Sequence, residues 1–316
     1  MPIISLKGGR KSRSLLVGNT FYDPNALIRG VFGGGYVGSA SNVLQYITIA
    51  YPSNATDFGD LTVSRHFAGS CASSTRGLFG GGSSASNVID YITIVTAGNA
   101  IDFGDLTVGR SNLAGCSSST RGLFSGGNAP ESNVIDYVTI ASTGNATDFG
   151  DLTAARSHPG SSSSSTRGLF AGGYTQINNN TRTNTIDYVT IASTGNATDF
   201  GDLSASRDGV TSCSSSTRAL FAGGNSGNDT NTIEYVTIAT TGNVTDFGDL
   251  TQDRFGLASC SSTLRGVFGG GYNDQAAAVN TMDYVTIATT GNATDFGDLL
   301  AANYEISALS NAHGGL

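Results

Sequence analysis

The chain has 316 residues, 38% hydrophobic and only 13% charged, with a net charge of −8. That acidic balance speaks against nonspecific nucleic-acid binding, which depends on clustered cations. No stretch approaches the roughly 20 apolar residues that span a membrane, and the start MPIISLKGGRKSRS lacks an apolar run of secretory length behind it.

Residues 1–28 stand apart from the rest of the chain. They hold both lysines, Lys7 and Lys11, with Arg10 and Arg13, then a short apolar run (Leu15, Leu16, Val17) and a turn at Asp23-Pro24. From Arg29 a single unit recurs six times, its arginines being Arg29, Arg76, Arg121, Arg167, Arg218 and Arg265 at spacings of 47, 45, 46, 51 and 47 residues. A fixed period in this range marks a repeat architecture.

Each unit reads as short strand candidates bounded by turn residues. An apolar arginine strand of RGLFAGG type ends in a glycine pair. A tyrosine strand of IDYVTIA type comes next, β-branched and aromatic, with Val134, Val138 and Ile140 expected on one face and Ile135 and Tyr137 on the other. A Thr-Gly-Asn-Ala turn leads to a TDFGDLT strand. After a variable stretch comes a small, polar segment such as LAGCSSST at 113–120. Four strands per repeat of about 40–50 residues predicts an all-β propeller of six blades. The small segment suits the crowded innermost strand. NYEISALSNAHGG after the last DFGDL aligns without gaps on RFGLASCSSTLRG at 254–266. Residues 303–312 therefore read as the inner strand that blade one lacks, so the C-terminus is expected to close the ring.

A glycine pair, then Tyr, then an aromatic before Leu, then Arg resembles the kelch pattern, here at Gly172-Gly173, Tyr188, Phe200 with Leu203, and Arg207. Phe stands where kelch repeats carry Trp, and the chain has no Trp. The subtype GLFAGG…IDYVTIASTGNATDFGDLT is also similar to kelch-like proteins of tailed phages, especially those of marine cyanobacteria. That second resemblance implies a virion component of tail or capsid surface, assembled in the bacterial cytoplasm. Its basic N-terminal segment would attach to other virion proteins, and one face would meet a host surface protein or glycan. The alternatives are a decorating virion protein without a receptor and, further off, a sugar-active propeller enzyme like the galactose oxidase group. The three histidines, His66, His158 and His313, form no recurring triad or metal set, so the expectation is a non-enzyme without a cofactor.

Half of the 24 acidic residues occupy the six DFGD pairs, from Asp57/Asp60 to Asp295/Asp298. A ring of calcium sites is one reading, but one such pair supplies too few oxygens. The preferred reading pairs them with the repeated arginines or with turn N–H groups. Cys71, Cys116, Cys213 and Cys260 fall at one repeat position, interchangeable with Ser162, and read as packing residues rather than a disulfide or zinc set. The recurrent Asn of the Asn-Ala-Thr turn is ascribed to its tolerance of left-handed geometry.

Variation is confined to two connections that share one face of the disc in an up-and-down blade. These are the loop between the arginine and tyrosine strands and the stretch entering each inner strand. Loops presented by a rigid scaffold carry recognition, which nominates Tyr36, His66, Phe67, Asn112, Glu131, His158, Tyr174, Asn179, Arg182, Asp208, Asn228, Asp229, Phe255, Tyr272, Asn273 and Asp274 as ligand-binding residues. Tyr174 and Arg182 of the longest insertion, YTQINNNTRT, are expected to stack on a sugar and to pair with an anionic group.

Overall fold

A computed structural model describes residues 27–316 except 129, 176–180, 274 and 276, together with the strand segments 15–17 and 20–22. Those two segments, Leu15–Val17 and Thr20–Tyr22, pair antiparallel with each other as a separate two-stranded sheet. The expected attachment role of the N-terminal segment falls mostly outside the described residues.

Six four-stranded antiparallel sheets form the blades of a propeller. Blade three runs Ala114–Ser117, Arg121–Ser125, Val134–Thr139 and Thr147–Asp151, from the axis outward. Every arginine strand opens on its repeat arginine, from Arg29–Gly33 to Arg265–Gly269. In blade one the inner place is taken by Ser307–Ser310, which pairs with Arg29–Gly33. The C-terminal strand closes the ring, as the alignment predicts. Closure covers the end faces that a linear stack of blades would leave exposed, and Ser307–Ser310 covers the inner edge of Arg29–Gly33.

The inner strands are short and small-sided, GSCA, AGCS, GSSS, TSCS, ASCS and SALS, because all six converge on the axis. Hydroxyls stitch them sideways. Ser163 Oγ donates to Ser117 O at 2.7 Å, Ser214 Oγ to Ser163 O at 2.7 Å, Ser261 Oγ to Ser214 O at 2.8 Å and Ser310 Oγ to Ser261 O at 2.6 Å. Ser117 Oγ continues the ladder to Ala72 O at 2.7 Å.

The core lies between blades. The tyrosine strand alternates as expected: Val138 and Ile140 pack in the core shared with blade two, and Ile135 and Tyr137 in the core shared with blade four, while Val134 is only half-buried. Asp136 lies between Val134 and Val138 on the first of these faces and is buried with them, at 0% exposure. The buried carboxylate is there to meet an arginine. Arg110 Nη2 lies 2.7 Å from Asp136, Arg65 2.7 Å from Asp90, Arg156 2.6 Å from Asp187 and Arg254 2.5 Å from Asp283. Arg207 pairs likewise with Glu234. This corrects the sequence reading, which gave the arginines to the DFGD aspartates. Those carboxylates lie on the outer, solvent-facing strand, and the described ion pairs do not include them.

At the sixth seam the pair becomes neutral on both sides. Asn303 and Gln45 occupy the arginine and aspartate positions; Asn303 Nδ2 donates to Gly34 O at 2.9 Å, and Gln45 Oε1 accepts Leu300 N–H at 2.7 Å. The seam that the two chain ends close thus carries no buried charge.

The other arginine set latches blades differently. Each guanidinium lies over the tyrosine of its own blade, 4.2 Å from the Tyr235 centroid and 4.6 Å from that of Tyr188 at the extremes. Its Nη1 reaches a carbonyl of the next blade, as Arg121 does to Ile191 O at 2.8 Å and Arg265 to Ile49 O at 3.0 Å. Cation–π contact and hydrogen bond together fix the blade spacing.

The turn asparagines are also latches. Asn99, Asn145, Asn196, Asn243, Asn292 and Asn54 accept the backbone N–H of Asp60, Asp105, Asp151, Asp202, Asp249 and Asp298 across each seam, at 3.0–3.1 Å. The positive-φ residue in the turn is instead the glycine before the Asn, as at Gly144 with φ 155°. This corrects the conformational explanation for the recurrent Asn.

The cysteines pack as expected and are free and buried. Burial raises all four thiols well out of the reactive range, Cys116 to about 12. Each Sγ fills the space left by the glycine after the next blade's arginine: a Cβ on Gly122 would lie 2.5 Å from Cys71 Sγ, and one on Gly168 2.8 Å from Cys116 Sγ. Where blade four has Ser162 instead, the following glycine position is Ala219, so volume is conserved across the seam.

Candidate functional site

The two variable connections meet on one face. Isolated bridges join the stretch entering each inner strand to the loop of the same blade, at Tyr36–Tyr304, Ser111–Asn128, Ser157–Tyr174, Asp208–Asn225 and Phe255–Tyr272. In blade two, Ser83 N–H donates to His66 O at 2.9 Å.

At the centre of this face the six entering stretches lock into a closed backbone ring. Phe67 N–H donates to Glu305 O at 3.0 Å, Asn112 to Phe67 at 2.9 Å and His158 to Asn112 at 2.8 Å. Gly209 donates to His158 at 3.1 Å, Gly256 to Gly209 at 3.3 Å and Glu305 to Gly256 at 2.6 Å. All six residues are left-handed, with φ of 60°, 59°, 56°, 64°, 62° and 54° at 67, 112, 158, 209, 256 and 305. Gly209 and Gly256 adopt this conformation freely. The other four carry side chains at a cost of roughly 1–2 kcal/mol each. Those four are consecutive around the ring, so Glu305, Phe67, Asn112 and His158 line one arc of the channel mouth and the glycines open the opposite arc.

The mouth leads into a cavity of about 150 Å³ lined by those residues and by the upper inner strands. The opposite end is obstructed by the C-terminal tail. His313 Nε2 lies 3.0 Å from Ala72 O and 3.3 Å from Ser117 Oγ, and Gly314 N–H donates to Ser214 O at 3.1 Å. Blade two has Ala72 where the other five inner strands end in serine, and His313 bonds at that break in the ladder. The tail makes the channel a cup that opens on the variable face.

Around the mouth runs an aromatic belt. Ring centroids follow one another from Phe255 to Tyr272 (5.8 Å), Tyr304 (5.1 Å), Tyr36 (5.4 Å), His66 (5.4 Å), Phe67 (4.6 Å) and His158 (5.1 Å). Edge-on and tilted pairs of this kind hold one another in place. Beside the belt, His66 Nδ1 lies 2.8 Å from Glu305 Oε2. Burial raises the Glu305 carboxyl to about 7 and lowers His66 and His158, so both imidazoles are neutral at pH 7.

Six nominated residues therefore converge: Tyr36, His66, Phe67, His158, Phe255 and Tyr272. Asn112 joins them at the mouth. The rest sit elsewhere on the face. Tyr174 and Arg182 pair across a small hairpin, and Arg182 Nε already contacts Asp208 at 2.5 Å, so its charge is satisfied within the chain rather than free for an anion. Asn228 and Asp229 belong to a turn in which Asn225 Nδ2 donates to Asp229 at 2.7 Å. Asn273 accepts Ala277 N–H at 3.2 Å, and Glu131 is half-buried in its loop. Asn179 and Asp274 lie outside the described residues.

Tyr304 and Glu305 escaped the sequence reading. The gap-free alignment of NYEISALS on RFGLASCS placed them opposite Phe255 and Gly256, and extending the set of variable-face residues through that alignment would have found them. Among the described residues no three of His, Cys, Asp and Glu converge as a metal set. No protein-family model and no curated protein matches the chain.

Proposed function

We propose that the chain is a non-catalytic binding propeller whose variable face engages its target, with the aromatic belt as the contact surface. The observation that carries this reading is the concentration of Tyr36, Phe67, Tyr272 and Tyr304 around a cup, on the one face where the six repeats differ. Tyrosines give large, rigid contact area with a polar tip, a composition suited to recognition. The opposite face repeats one turn, and its asparagines are committed to seams between blades. Scaffold and contact surface are thereby separated.

The kelch-like repeat and its likeness to tailed-phage propellers support a more specific form of the proposal. The chain is then a virion protein of tail or capsid surface, assembled in the bacterial cytoplasm. The basic N-terminal segment holds other virion proteins, and the belt meets a host surface glycan or protein. Cell adsorption and glycan-array binding of Tyr36→Ala/Tyr272→Ala against wild type test it. The pair should lose most binding with the fold intact, since both side chains are only partly buried. Full adsorption by the double variant contradicts the belt. A particle-bound protein with no adsorption in any form favours a decorating role.

A further inference from the structure

The cup carries an electrostatic signature that the belt does not. Of the residues lining it, only Glu305 and His158 carry ionisable side chains. His158 is neutral at pH 7, because burial lowers its pKa. Glu305 is a largely enclosed carboxylate whose partner is His66, an imidazole that burial also keeps neutral. The face's cation, Arg182, is engaged by Asp208. An enclosed carboxylate without a cation is costly, and the cost is recovered when a cation arrives.

Asn112 adds a second observation. It lines the mouth with 9% exposure, and its Oδ1 has no hydrogen-bonding partner. Between Asn112 and Glu305 on the ring sits Phe67, whose aromatic face attracts cations. A carboxylate, a spare amide acceptor and an aromatic ring on one arc form an acceptor-rich cage without a charged donor. An anion would meet no charged donor there, only hydroxyl, amide and imidazole groups. A protonated amine meets the carboxylate and the ring directly and gains the enclosed amide oxygen once the Asn112 side chain turns towards it, and the glycine arc leaves its approach open. The cavity, with room for about five waters, takes an ammonium group and a few attached carbons.

We propose that the channel mouth is a binding site for a protonated primary amine, seated between Glu305, Phe67 and Asn112 at the end of a larger ligand held by the belt. This rests on the variable face being the binding face. The amine can come from a lysine side chain of a surface protein or from an amino sugar of a glycan. The site also binds with a defined pH dependence. The groups facing Glu305 are His66, whose pKa burial lowers, and Tyr304, whose pKa burial raises, so across pH 7 the carboxyl is the group that changes charge. It must be ionised to attract the amine. Its pKa near 7 means affinity rises as pH goes from 6 to 8, with a proton released on binding.

The test is calorimetric titration of the full chain with Nα-acetyllysine amide and with glucosamine. Each is matched to its uncharged counterpart, Nα,Nε-diacetyllysine amide or N-acetylglucosamine. The expected result is at least tenfold tighter binding of one amine than of its neutral match. That preference should disappear in Glu305→Gln, which keeps the side chain's size. Which amine responds identifies the source. Glu305→Gly, the residue the ring already uses at 209 and 256, should behave like Glu305→Gln, which guards against misfolding of one variant. Equal affinity for amine and neutral match, or an undiminished preference in both well-folded variants, overturns the amine site. Host adsorption read in parallel separates the two claims. Adsorption lost in Tyr36→Ala/Tyr272→Ala without amine preference leaves the binding face standing and removes the amine pocket. Amine preference with adsorption unchanged in every face variant does the reverse.

Discussion

At the scale of single residues, the blades are joined by contacts that recur with the repeat, and the sixth seam shows how they can be exchanged. Removing one member of a buried ion pair leaves its partner charged and unsolvated. Asp136→Ala should therefore cost about 3–5 kcal/mol in urea unfolding. The double change Arg110→Asn/Asp136→Gln reproduces Asn303 and Gln45 and should recover most of that loss. A double variant no better than the single one would show that the neutral seam depends on its own surroundings. Packing obeys similar logic. Gly122→Ala drives a methyl into Cys71 Sγ and should cost about 1–3 kcal/mol. Adding Cys71→Ser, the Ser162/Ala219 combination, should relieve it. Part of this was legible in sequence: thiol, glycine and arginine positions repeat, so their structural nature was plain. Their partners were not. Alternation puts Asp136 on the same buried face as Val138 and Ile140, but the spacing of the repeat does not say that Arg110 meets it there.

At the scale of elements, the ends of the chain do more than complete the count. The closing strand was readable because its sequence aligns on a repeat unit. The alignment runs on over the tail to Gly315, but periodicity does not say that the tail turns into the channel. Deleting residues 303–316 removes the inner strand of blade one and the tail in the channel together. The product should melt well below wild type and self-associate through the exposed edge of Arg29–Gly33, as read by calorimetry and light scattering. His313 can be tested alone. Its pKa is lowered, so the folded state favours the neutral ring. Stability is then fully present above the unfolded value of 6.5 and is lost as pH falls below it. His313→Gln keeps a donor for Ala72 O without titrating and should flatten the fall between pH 6.5 and 5. An unchanged acid profile would mean that the tail leaves the channel before His313 is protonated.

At the scale of the whole molecule, six near-identical units build a disc whose two faces obey different rules. One repeats its turn because those asparagines hold the seams. The other varies because its loops are relieved of that work once the closed backbone ring fixes their entry points. Sequence comparison among the repeats found the variable face. It could not find the belt: His66, Phe255 and Tyr304 share one repeat position, Tyr36 and Tyr272 a second, Phe67 and His158 a third, and the repeat does not say that these positions adjoin from blade to blade. They become neighbours only when the ring closes. The most direct measurement pairs the faces in one experiment. Adsorption to host cells and melting temperature are read for Tyr36→Ala/Tyr272→Ala and for Asn145→Ala, which loses the bond to Asp105 N–H. The first variant should lose adsorption and keep its melting temperature; the second should melt lower and still adsorb. Loss of adsorption in the Asn145 variant alone, with the belt variant adsorbing like wild type, would place recognition on the constant face and contradict this account.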